Sequence, residues 1–134
     1  LGHKPLFVLA VLFTLSLAWA SLVKISNTGI TVKGGDKILH FLAYFILMIL
    51  WGLFVFFSKQ QNKNLKVSLI FTAILCVLFG VLMEVLQGLL TTYRSSDWYD
   101  IVANTSGTIF ALFIFLLIKN KLINFKQKIR YSVR

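Results

Sequence analysis

Residues 36–57 read DKILHFLAYFILMILWGLFVFF. Asp36, Lys37 and His40 crowd the start, and no charged residue follows until Lys59. A helix crossing the roughly 30 Å hydrocarbon core of a bilayer needs about 20 mostly apolar residues. This stretch meets that length without a proline, so it reads as a transmembrane helix with a polar head at one end. The question it raises is why three polar groups gather at that head.

Three similar runs flank it. PLFVLAVLFTLSLAWASLV occupies residues 5–23, a third run extends from Lys66 to about Leu90, and a fourth from about Trp98 to Ile118. Of the 134 residues, 58% are hydrophobic and only 13% charged, with a mean hydropathy of +0.85. Soluble domains are about 45–50% apolar, so a water-soluble globule is excluded and the surplus must face lipid. The expected fold is all-α integral membrane, a four-transmembrane-helix bundle in a single domain over 1–134, ending in a basic tail at 119–134. The first run has a rival reading. Lys4, the apolar core and Ala18-Trp19-Ala20 resemble a secretory signal with a small-x-small cleavage site, but the run is long for that and is taken as a retained span. Pro5, the only proline, sits where a helix start tolerates it.

The formal charge is +10, from 14 Lys and Arg against 4 Asp and Glu. The basic residues lie in connectors and the tail, which is a topology signal and not a nucleic-acid footprint; no nucleic-acid partner is expected. Lys4, Lys59, Lys63, Lys66, Lys119, Lys121, Lys126, Lys128, Arg130 and Arg134 fall on one side, and Lys24, Lys33, Lys37 and Arg94 on the other. That asymmetry puts both termini in the cytoplasm and the 24–35 and 91–97 connectors outside. Membrane lipids, anionic ones included, are the partners this charge fits. Cys76, alone and inside an apolar run, forms no intrachain disulfide and reads as a small core residue.

All four acids then fall near the outer surface. Asp36 heads the second span, Asp97 and Asp100 open the fourth, and Glu84 lies on the order of 10 Å inside the outer end of the third. Helical spacing sorts them into faces. Asp36, His40 and Tyr44 share one stripe; Glu84, Gln87 and Gly88 another; Asp97, Asp100, Asn104 and Gly107 a third. A charge facing lipid at that depth costs several kcal/mol, so the three faces are expected to turn toward each other around an outward-facing polar pocket.

Simpler roles compete at each position. Asp97 suits the N-cap of the fourth helix. Lys37 and Arg94 suit snorkelling to headgroups. Tyr44, Trp98 and Tyr99 suit packing or interfacial positions, and Gly107 with Ala103 and Ala111 makes a small-residue face for close helix packing. His3 lies near the terminus and reads as inert. Glu84 needs a partner at its depth, and His40 and Arg94 are the candidates.

The joint pattern, D-K-x-x-H-F-x-x-Y at 36–44, E-x-x-Q at 84–87 and R-S-S-D-x-x-D-x-x-x-N-x-x-G at 94–107, resembles the signature of the VanZ-like family of small bacterial membrane proteins. The resemblance covers about residues 34–112. It implies that Asp36, Lys37, His40, Tyr44, Glu84, Gln87, Arg94, Asp97, Asp100, Asn104 and Gly107 are the characteristic positions, a bacterial plasma-membrane location, and a link to teicoplanin resistance, with which the family's namesake is associated. Thr92-Tyr93 replaces the Pro-Gly often found before the arginine, and Ala111 replaces a second glycine. The resemblance supplies no reaction.

Two classes of function remain open. In the first, an enzyme acts on an envelope lipid or lipid-linked cell-wall precursor. His40, oriented by Asp36, is the base or nucleophile, Glu84 a second acid/base group raised by burial, and Asp100 a further candidate of the catalytic set. Lys37 and Arg94 hold a phosphate, with Tyr44, Gln87, Asp97 and Asn104 lining the substrate site; a divalent cation held by the carboxylates is the variant of this scheme. In the second, the same pocket binds a headgroup, a precursor or an antibiotic without chemistry and alters surface access. A third reading makes the polar residues a structural lock of the bundle.

Overall fold

The computed structural model describes residues 3–23, 35–58, 64–92 and 97–132, with side chains of the last segment through Lys128. Four helices follow in order: α1 (His3–Leu22), α2 (Gly35–Ser58), α3 (Leu65–Leu90) and α4 (Trp98–Ser132). Each is long and apolar enough to cross a membrane, and the described residues contain no strand. The expected helical membrane fold is therefore the observed one, with span limits within a few residues of the apolar runs for α1 to α3.

The fourth helix differs. The apolar run ends at Ile118, but α4 continues to Ser132 as a 35-residue helix about 52 Å long. Leu122 and Ile123 still pack against the core, and Lys126 Nζ donates to the Phe56 carbonyl at 2.8 Å with its ammonium 4.9 Å from the Phe56 ring centre. The first part of the basic tail is thus an extra helical stretch holding the end of α2. Lysine near a helix C-terminus satisfies carbonyls that lack an intrahelical donor.

Neighbouring spans alternate in direction. At one end, Phe7 of α1 meets Trp51 and Phe54 of α2, with ring centres 6.0 and 5.3 Å apart. At the other, the starts of α2 and α4 lie together with the ends of α1 and α3. The most extensive pair is α2 with α4. Its closeness depends on Gly107, where a Cβ would run into the backbone carbonyl of Phe41. The small face of Gly107 and Ala111, the latter wholly buried, is a packing surface, as its spacing implied.

Polarity is inverted relative to a soluble protein. Outward-facing Leu39, Val67 and Leu89 are exposed, whereas Thr72, Glu84, Gln87, Asp100, Asn104 and Thr108 are buried. In water that arrangement would leave large apolar patches uncovered. In lipid it is the low-energy one, because the polar groups lie inside the bundle and the apolar faces meet hydrocarbon.

Candidate functional site

The site is assembled where the first turns of α2 and α4 meet the last turns of α3. Asp97 precedes α4 and caps it: its Oδ1 accepts the Tyr99 N–H at 2.9 Å, and its carbonyl accepts the Asp100 N–H at 3.0 Å. The other oxygen, Oδ2, accepts from the Lys37 ammonium, which also donates to Oδ1 of Asp100. The ammonium, and after it the Tyr99 N–H, hold the Asp97 carboxyl below its usual value of 3.8. Asp97 therefore serves both the capping role and an interhelical ion pair. Lys37, expected to hold a phosphate or to snorkel, here pairs its ammonium with two carboxylates at the start of α4 and ties α2 to it.

One turn further in, the His40 ring has four polar neighbours. Nδ1 lies 3.1 Å from Asn104 Oδ1 and 3.8 Å from Glu84 Oε1. Nε2 lies 3.5 Å from Asp100 Oδ2 and 3.7 Å from Asp36 Oδ1. The Asn104 oxygen can only accept, so Nδ1 donates to it, and Nε2 faces the two aspartates. The His40 side chain is 13% exposed, Asp100 8% and Glu84 2%, while Asp36 is half-exposed at 51% and forms the open side of the cluster. Asp36, His40 and Asp100 each offer one ligand atom, all within 4.8 Å of one another. Among the described residues, these are the ones whose ligand atoms could hold a metal ion.

Of the residues expected at the site, the structure brings Asp36, Lys37, His40, Glu84, Asp97, Asp100 and Asn104 together. Tyr44 shares the stripe but is buried in the apolar core, against Phe79 at 6.1 Å between ring centres and facing Gly80. Gln87, expected to line a substrate site, donates through Nε2 to the Ser21 carbonyl at 2.7 Å and so satisfies the end of α1. Arg94 lies outside the described residues, as do Lys24 and Lys33.

Replacing Gln87 by leucine removes the donor from the Ser21 carbonyl and frees the C-terminal end of α1. The expected outcome is a loss of about 1–2 kcal/mol of bundle stability with faster amide exchange confined to the last turn of α1. Hydrogen exchange of the detergent-solubilised protein measures both.

Away from the charged end, a cavity of about 400 Å³ opens between α1, α2 and α3, lined by Thr14, Trp51, Val55, Thr72, Cys76 and Phe79 among others. Its polar groups already have partners. Thr14 Oγ1 bonds the Ala10 carbonyl at 2.7 Å and accepts from Trp51 Nε1 at 3.1 Å, and Thr72 Oγ1 bonds the Ser68 carbonyl at 2.8 Å. The cleft offers hydrocarbon contact and little else. Phe79 lines it and packs against Tyr44, which shares the α2 stripe of Asp36 and His40.

Fold and site together define a multi-pass helical membrane protein with an ionisable cluster, centred on one histidine, buried at one end of its spans. The chain belongs to the VanZ/LLP1 family, whose model matches residues 5–119 and so takes in nearly all of α1, the whole of α2 and α3, and the first part of α4. It is also similar to the uncharacterized protein C11E3.10 of Schizosaccharomyces pombe, with 35% identity over 83 residues, 61% of this chain and 47% of the yeast protein. The chain thus covers about half the length of that curated relative. No solved structure matches it.

Proposed function

We propose that the protein acts at the outer face of a bacterial plasma membrane on the headgroup of an envelope lipid or lipid-linked cell-wall precursor, with His40 as the proton-transfer group. One observation carries the reading: a histidine set between Asp36, Glu84, Asp100 and Asn104, where each ring nitrogen faces its own polar partners. Fixing one nitrogen as donor leaves the other available as a base, and His is the side chain whose ordinary pKa, about 6.5, suits that task near neutral pH. A packing histidine has no need of three carboxylates.

The apolar cleft supports a lipid as the substrate class. From His40 to Leu47, which lines the cleft, is seven residues of helix, about 10 Å along α2. A molecule with a polar head at the cluster and an acyl chain in the cleft spans that distance. The excess of Lys and Arg in the connectors and tail at the opposite end of the bundle supports the outward orientation of the cluster. Chemistry on a surface lipid is also a route by which a membrane protein changes exposure to a lipoglycopeptide, consistent with the association of the family's namesake.

The test uses full-length protein in vesicles, with candidate phosphate-bearing envelope lipids presented on the outer leaflet. His40→Ala and Glu84→Gln are expected to lower turnover by 100-fold or more, on the order of a lost general base, while bilayer insertion and lipid binding persist. Loss of binding without any measurable turnover in the native chain favours the non-catalytic binder, and unchanged behaviour in both variants sinks either reading.

A further inference from the structure

The lysines near the far end of α4 divide between two faces of the helix. Lys126 turns inward to the Phe56 carbonyl and ring, and Lys119, half-buried, lies on that same face. Lys121 and Lys128 lie on the opposite face and are exposed. At 3.6 residues per turn both stand within about 40° of Phe110 and Leu117, which are exposed as well. The stripe of α4 that meets hydrocarbon therefore continues, without changing face, into two cations. Phe125, 58% exposed, stands at the edge of the stripe between them.

Depth fits a headgroup layer. From Asp100 to Lys121 is roughly 32 Å of helix, close to the hydrocarbon thickness of about 30 Å. With the charged cluster at one boundary, Lys121 reaches the other, and Lys128 lies about two turns beyond it. A lysine at such a boundary keeps its stem among apolar atoms and carries its ammonium to the phosphates. An aromatic ring beside it suits the same layer. No acidic side chain competes for these two ammoniums, because all four of the chain gather at the other end of the bundle.

We infer that Lys121 and Lys128, with Phe125 between them, bind the phosphate headgroup of an anionic phospholipid whose acyl chains lie along Phe113 and Leu117. Charge complementarity selects this occupant. An anionic headgroup answers the two cations, whereas a zwitterionic one brings its own amine to its phosphate. A topology signal depends on how many Lys and Arg a segment carries and not on the helix face that carries them. A lipid site depends on the face, since Lys121 and Lys128 overlie the lipids that touch α4 and Lys119 does not. The surface lies at the end opposite His40 and is separate from the proposed reaction site.

The experiment reconstitutes the full chain in vesicles of equal phosphatidylcholine and phosphatidylglycerol, releases it into mild detergent, and counts the retained lipids by native mass spectrometry. Native protein is expected to retain phosphatidylglycerol roughly fivefold in preference to phosphatidylcholine, the scale set by a lysine near an anionic leaflet. Lys121→Gln and Lys128→Gln should each lower that preference about twofold to threefold, and the double variant should remove it. Lys119→Gln deletes the same charge on the opposite face and is expected to stay within about 1.5-fold of the native preference. Both target lysines are exposed, so helix content by circular dichroism should not change. Lys121→Arg with Lys128→Arg keeps both charges in place and should keep the preference, which separates loss of charge from any disturbance of the helix. Equal loss on Lys119→Gln, loss in the arginine variant, or a preference that survives the double glutamine substitution overturns the site. Sodium phosphate should displace the lipid no better than sodium chloride of the same ionic strength. Displacement by phosphate alone would assign the two lysines to a soluble anion and overturn the lipid as occupant.

Discussion

Gly107→Leu is expected to prevent the α2–α4 pair from forming. The position where its Cβ would sit is already occupied by the backbone carbonyl of Phe41, with the Phe45 amide nitrogen 3.1 Å away. A backbone obstacle has no rotamer by which to give way, so the helices must separate along the bundle's most extensive contact. Overpacking a well-filled interior costs about 1–3 kcal/mol; Gly107→Ala should reach the top of that range, and leucine exceed it. Two other glycines grade the effect. At Gly80 the nearest atom is a ring carbon of Tyr44 at 3.0 Å, and at Gly52 the neighbour is the Phe115 ring at 2.5 Å. Both obstacles are side chains. Phe115 and Tyr44 are buried, so neither moves freely, but each can tilt. Thermal unfolding of the alanine variants in detergent micelles should rank Gly107 as the most damaging. Equal melting temperatures for Gly107→Ala and the native protein would mean that the two helices do not approach so closely. The same separation would draw Lys37 away from Asp97 and Asp100, so the variant is expected to lose the charged cluster along with the fold.

How far this organisation can be read from residues alone depends on the range of the interaction. Apolar runs near 20 residues specify spans by themselves, because bilayer thickness fixes the length required. Stripes at 36/40/44, 84/87 and 97/100/104/107 specify which faces turn inward, since helical period and the cost of lipid-facing charge act locally. His40, Glu84, Asp100 and Asn104 were legible on those grounds. Lys37 was placed at this end of the bundle, but its pairing with Asp97 and Asp100 was not legible, because it lies one residue off its stripe and reaches α4 only through its long flexible stem. Gln87 lies on the right stripe, yet its partner is a backbone carbonyl of α1, and no side chain of Ser21 or its neighbours announces that need. The extension of α4 carried a faint signal. Leu122, Ile123 and Lys126 keep a helical spacing beyond Ile118, but four lysines between 119 and 128 made the segment read as a solvated tail. The cleft left no trace at all, since a packing gap depends on how three helices lean and not on any motif.

Lys37→Met is expected to be more damaging than its position at a helix start suggests. Removing the ammonium leaves Asp97 and Asp100 without their shared donor, and the Asp100 side chain is only 8% exposed. Breaking a buried pair from one side costs roughly 3–5 kcal/mol. Lys37 is itself 37% exposed, and water there screens part of the charge, so a loss of about 1–3 kcal/mol is expected. The diagnostic is the double variant. Lys37→Met with Asp100→Asn removes the stranded buried charge as well as the cation, and should recover part of the lost stability. An Asp100→Asn change that adds its own full cost on top of Lys37→Met would show that the two residues do not interact. Acid provides an independent route to the same contact. The Asp97 carboxyl is held below 3.8 in the folded protein, so its contribution is fully present above that pH and is lost as pH falls through the lower folded value. Native protein should therefore lose part of its α2–α4 coupling on acidification below about pH 4, and Lys37→Met, which lacks the partner, should show a shallower dependence over the same interval. Parallel acid profiles for the two proteins would place the sensitivity elsewhere in the cluster and remove Lys37 as the clasp between these helices.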